Sequence, residues 1–196
     1  MPLPPYLKEG FLMFSIRFCL AGDNHILQKL SATDFEKEYS RSDIPGFVEM
    51  RFGVHTIGFC PETPVHPEIM GPEQVDWWLH GLLEILQHFE NSGAFGAFYL
   101  LNHPDTWLVF CKNHDAIIIN EGFFQKANPA NRLFLWEMSQ DFCWREPAHQ
   151  IVCYSHFKKE VLSFGREFLA ELHSLNPQLD RTDFVTDLLE KLENFS

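Results

Sequence analysis

Residues 95–120, FGAFYLLNHPDTWLVFCKNHDAIIIN, decide the fold. Three short runs rich in aromatic and β-branched residues follow one another closely: Phe95–Leu101, Thr106–Cys111 and Ala116–Asn120. Such runs favour strands. His103-Pro104-Asp105 and Asn113-His114-Asp115 between them carry turn-forming residues. Connections this short leave no room for a crossover helix, so neighbouring strands must run antiparallel. The stretch reads as a β-meander.

Working outward, residues 72–90 on the N-terminal side predict a helix. Pro72 suits a first helical position. Val75, Trp78, Leu79, Leu82, Leu86 and Phe89 recur at three- and four-residue spacing. Asn91-Ser92-Gly93 stops the run. Before it lies CPETPVHPEIMGP, residues 60–72, with four prolines, which reads as a loop. Residues 46–60, GFVEMRFGVHTIGFC, predict one long bent strand, or two with a bulge near Gly53. Residues 11–20, FLMFSIRFCL, predict another strand.

On the C-terminal side, RLFLWEM (132–138) and HQIVCY (149–154) look strand-like, and the organisation of 122–154 is the least determined. A second helix is predicted from Ser155 to Leu175, with Phe157, Val161, Phe164, Phe168, Leu172 and Leu175 as its apolar stripe. Asn176-Pro177 ends it. A third helix starts near Thr182, with Phe184, Leu188, Leu192 and Phe195 inward. The expected class is α+β: a mainly antiparallel sheet with about three helices packed on one face, in one domain over residues 1–196.

Composition agrees with a packed core. Hydrophobic residues make up 45% of the 196 residues, and twenty are Phe. A chain this long buries roughly 70% of its unfolded surface, so it needs no metal or disulfide staple. The five scattered cysteines form no C-x-x-C and read as reduced thiols in a cytoplasmic protein. The opening MPLPPYLKEGFLMF has no basic region ahead of its apolar part and predicts no secretory signal. No apolar run approaches the roughly 18–20 residues of a membrane helix. The net charge of −12 argues against nucleic acid and against an anionic membrane surface as partners, and suits a cationic protein partner and equally mere solubility.

The charge is unevenly placed. From Phe52 to Cys111 there is no Lys or Arg, while Glu62, Glu68, Glu73, Asp76, Glu84, Glu90 and Asp105 are acidic. Projected at 100° per residue, Glu73, Asp76, His80, Glu84 and Gln87 fall on one stripe of the 72–90 helix, opposite its apolar side. Trp77 falls near that stripe. Carboxylates beside an exposed Trp would suit a basic partner, so Glu73, Asp76, Trp77, His80 and Glu84 are the candidate binding residues; the alternative is the ordinary acidic outer face of a helix in an acidic protein, with Trp77 packed under a loop. Asp183, Asp187 and Glu190 repeat the acidic outer face on the last helix.

Catalytic and metal signatures are absent. There is no phosphate-binding glycine loop, no nucleophile elbow and no H-E-x-x-H. His103-Pro104-Asp105 also marks J-domain co-chaperones, where it joins two helices. Here it falls between strands with no basic helix beside it, and reads as a turn. His80, Glu84 and His88 stand four apart, but the two His are about 12 Å apart along a helix, too far to share one ion. Cys143, His149, Cys153 and His156 lack the paired knuckles of structural zinc. No metal, no cofactor and no catalytic residue are expected.

The order of elements resembles immunity proteins of bacterial polymorphic-toxin systems. So does the ending, a long amphipathic helix, Asn176-Pro177 and a short acidic helix. The resemblance implies a non-enzymatic protein that neutralises a cognate toxin by covering a basic cleft with acidic residues. Two other readings stay open: an enzyme with a Cys/His pocket, and a structural or regulatory subunit. Convergent His, Cys and carboxylates in a pocket would mark the enzyme. The oligomeric state is not read from the sequence.

Overall fold

A computed structural model describes residues 11–21, 25–38, 44–62, 72–103, 105–124, 132–138, 142–145 and 150–195. The class is α+β with antiparallel sheets, as expected. The strands form two sheets, not one. In the first, β1 (Phe14–Leu20), β2 (Pro45–Phe52) and β3 (His55–Gly58) lie side by side, and the two-residue β4 (Glu73–Gln74) also pairs with β2. The segment 46–60 is therefore two strands. Gly53 makes the turn between them at φ +60°, a value that costs a residue with a side chain energy and glycine little.

The second sheet contains the meander, β5 (Phe95–Tyr99), β6 (Trp107–Asn113) and β7 (Ala116–Phe124). It is widened by β8 (Phe134–Leu135), β9 (Phe142–Trp144) and β10 (Gln150–Cys153), which supply the organisation the sequence left open. The two sheets meet where Leu12 N–H donates to Ile151 O at 3.0 Å. His103-Pro104-Asp105 does lie between antiparallel strands; Asp105 stands at φ +56° and Thr106 N–H closes on His103 O.

Five α-helices are described, two more than expected: α1 (His25–Lys29), α2 (Ala32–Glu38), α3 (Val75–Glu90), α4 (Tyr154–Leu175) and α5 (Asp183–Glu193). A 3-10 turn, Pro177–Arg181, joins the last two. Ser31 caps α2: its Oγ accepts from Asp34 N–H and donates to the Asp34 carboxylate. Thr182 caps α5 by accepting from Val185 N–H.

Alternation along the meander puts Phe98, Leu108, Phe110, Ile117 and Ile119 on the inner face, against α3 and α4. The same core takes Phe14, Val48, Met50 and Phe52 from the first sheet. Each such side chain contributes about 1.5–3 kcal/mol of burial. The outer face of the second sheet carries a smaller cluster of Ala97, Trp107, Val109 and Leu135. Helix α3 is central. Eleven of its sixteen residues are buried, and Gly81 lets it settle on Phe98, whose ring a Cβ there would meet at 2.7 Å. Asn176 ties the end of α4 to α1 and the link after it. Its buried amide donates to Leu27 O and Leu30 O, both at 2.8 Å, and its oxygen accepts from Gln178 N–H.

Candidate functional site

A groove of about 500 Å³ opens between α2, α3 and α5. Phe35, Leu79, Leu83, Phe184 and Leu188 make its floor apolar. Four carboxylates stand around it: Glu36 from α2, Asp76 from α3, and Asp183 and Asp187 from α5. Lys191 is the one lysine among the lining residues, and His80 lies beside it. The helices meet this way because α5 turns Leu188 and Leu192 inward, which leaves Asp183 and Asp187 one turn apart on the groove side.

The carboxylates differ in what holds them. Asp76 is only 3% exposed, and its Oδ1 accepts from Ile44 N–H at 3.0 Å. Glu36 accepts from Asp183 N–H at 2.8 Å and so caps the first turn of α5. Asp183 and Asp187 are solvent-exposed, and no described side chain pairs with either carboxylate. At the other end Lys191 donates to Glu84 at 2.8 Å and to His80 Nδ1 at 3.3 Å. His80 accepts at Nδ1, which requires a neutral ring carrying its proton on Nε2. Burial and then the Lys191 charge hold the His80 pKa below its ordinary value, against a smaller upward pull from Glu84.

The helical projection is corrected at three of the five candidate binding residues. Glu73 is not in the helix: it lies in β4, is buried, and pairs with His103 Nε2 at 2.9 Å. Trp77 is not an exposed ring. It is 7% exposed, donates from Nε1 to Tyr99 O at 2.7 Å, and packs on Phe134. Asp76 is buried instead of facing solvent. A projection of one helix cannot show what covers it. Here β8 covers the Trp77 side, and the residue before β2 covers Asp76. His80 and Glu84 are half-buried at the α3–α5 seam. The structure thus brings Asp76 and His80 to one groove with Asp183 and Asp187, and takes Glu73 and Trp77 out of it.

Sequence reading missed Phe35, Glu36 and Lys191. The signal for the first two was Ser31-x-x-Asp34, a capping pattern ahead of an apolar residue. It also missed Trp136, a partly exposed ring stacked on Phe134 and tilted against His88.

Among the described residues, no group of three His, Cys, Asp or Glu side chains is placed to hold a metal ion. His149 lies outside them. All five cysteines are free thiols. Burial, with Cys60 alongside, pushes the Cys19 thiol up to about 12, and burial pushes Cys111 up to about 11. Cys153 is lowered by its contact with Ser155 Oγ at 3.2 Å and by backbone N–H groups at the start of α4. No described helix is long and apolar enough to cross a membrane.

No protein-family model, curated protein or solved structure matches this chain. The function must be argued from the groove.

Proposed function

We propose that this chain is a non-enzymatic binding protein whose groove between α2, α3 and α5 takes a basic segment of a protein partner. One observation carries the reading: exposed Asp183 and Asp187 stand over an apolar floor together with Glu36 and Asp76. Apolar contact supplies affinity in such a groove, and the carboxylates select a cation and speed encounter. The net charge of −12 adds long-range attraction for a basic protein and repels nucleic acid. Neutralisation of a basic toxin, as the resemblance to immunity proteins implies, is one form of this function. Five free thiols suit a reducing, cytoplasmic setting.

The test is affinity capture from the native host with the wild type and with Asp183→Asn/Asp187→Asn, analysed by mass spectrometry. A control variant, Glu171→Gln, removes an exposed acid on α4. The expected result is a partner held by the wild type and by the control, released by moderate salt, and lost in the double variant. Equal capture by all three proteins would overturn the reading. So would turnover of a small molecule that persists in the double variant.

A further inference from the structure

A small cavity lies where the two sheets meet and shares no lining residue with the groove. Its volume is about 30 Å³, with β3 on one side and β7, β10 and Arg145 on the other. Asn120 and Gln150 both line it, and they are only 2% and 5% exposed. Each carries one buried polar atom with no hydrogen-bond partner among the described residues, Nδ2 of Asn120 and Oε1 of Gln150. An enclosed donor or acceptor left unpaired is costly, and here one of each lines the same cavity. We propose that this cavity is a binding site for a small neutral molecule that accepts from Asn120 Nδ2 and donates to Gln150 Oε1 at once, either solvent water or a primary amide.

The strand pairing explains how the two amides come to share it. With β6 on its other edge, β7 pairs with both β9 and β10 along one edge, Gly122 opposite Trp144 and Ile119 opposite Gln150. Asn120 therefore stands beside the gap between β9 and β10, and its side chain lies along that edge. Its Oδ1 accepts from Glu121 N–H at 2.9 Å, on the side where Glu121 O accepts from Arg145 N–H. That bond fixes which amide atom is oxygen and leaves Nδ2 as the donor. Gln150, opposite the core residue Ile119, points to the inner face, where Ile57 of β3 also packs.

Size and charge select the ligand. About 30 Å³ takes about two waters, or the heavy atoms of one carboxamide group. An anion would meet the Gln150 oxygen and Glu121, and a cation would meet the Asn120 NH2 and Arg145. A carboxamide gives its oxygen to one amide and its N–H to the other, and water does the same with a lone pair and an O–H. His55 and Thr56 at the rim are exposed, which gives a way in from solvent. Turning the Gln150 amide over would present two donors and favour an anion, so an anion belongs among the probes.

The test follows the side-chain NH2 signals of Asn120 and Gln150 by NMR in the full chain. The probes are formamide, sodium formate and methylammonium chloride at equal ionic strength, with dimethylformamide as an amide that cannot donate. Cross-peaks from a long-lived water to the Asn120 NH2 are expected without any probe. Formamide alone should displace that water and shift both signals saturably, with a dissociation constant no tighter than about 1 mM for so small a ligand. Gln150→Met keeps the side-chain length, removes the acceptor and should abolish the formamide response; an undiminished response overturns the role of Gln150. The wild-type readings decide the rest, whether or not that variant folds. Long-lived water with no formamide response supports the site and assigns it to solvent. Saturation by formate or methylammonium in place of formamide overturns the neutral ligand. Fast-exchanging water at Asn120 with no response to any probe overturns the site itself.

Discussion

His103 Nε2 lies 2.9 Å from Glu73 Oε1, which ties the loop between β5 and β6 to the strand that leads into α3. Glu73 is buried and His103 is half-exposed. The hydrogen bond to Glu73 is the main reason that the His103 pKa is raised above its ordinary 6.5, with burial opposing it.

His103 and His80 should therefore bracket the ordinary histidine in an NMR titration, His103 above and His80 below. The two act oppositely on stability. His103 binds its proton more tightly in the fold, so its contribution is complete below pH 6.5 and fades as pH rises through the folded-state pKa. His80 is held neutral, so its contribution is complete above pH 6.5 and fades as pH falls through its lowered pKa. The His103 term is below about 1 kcal/mol for so exposed a partner. Urea unfolding of His103→Gln should lose the alkaline slope, and that of His80→Gln the acid slope.

Gly81→Ala should cost about 1–3 kcal/mol, because the new methyl meets the Phe98 ring and that ring is fully enclosed. A urea midpoint within error of the wild type would mean that α3 does not lie this close to β5.

Asp76 and Asp187 line one groove yet should respond differently to substitution. Asp76→Ala removes a buried acceptor and strands Ile44 N–H, at a cost of about 1–3 kcal/mol. Asp187→Asn changes an exposed side chain and should stay within about 0.5 kcal/mol. Thermal unfolding separates the two. The result also decides which acids serve as binding probes: a charge reversal at Asp76 would report on folding, not on recognition.

A lysine-rich peptide should bind the wild type with an affinity that falls as salt rises. Asp183→Asn/Asp187→Asn should weaken that binding about tenfold or less, in keeping with one or two exposed ionic contacts, and flatten its salt dependence. Calorimetric titration at two ionic strengths measures both.

The meander was legible because each of its runs is rich in aromatic and β-branched residues and each of its turns is short. The long helices were legible from their stripes, α4 to within one residue of its start. Gly53 was legible as the site of a bulge but not as a hairpin turn, since the register that pairs Phe52 with His55 belongs to both strands together. The acidic character of α3 and α5 was legible too. Their meeting was not, because it is a relation between distant helices, in which Lys191 meets Glu84 across 107 positions of sequence. The exposure expected of Trp77 failed for the same reason: the Phe134 ring that covers it arrives from β8, in the segment with the weakest periodicity.

The walls of the groove come from distant parts of the sequence, α2 at residues 32–38 and α5 at residues 183–193, and Asn176 ties the segment before α5 to the segment before α2. Synthesis runs from α2 and α3 to α5, so a chain that has not yet reached residue 183 carries Asp76 and His80 without Asp183 and Asp187. The groove proposed here as a binding site is assembled only once α5 has been added and has folded back on α3.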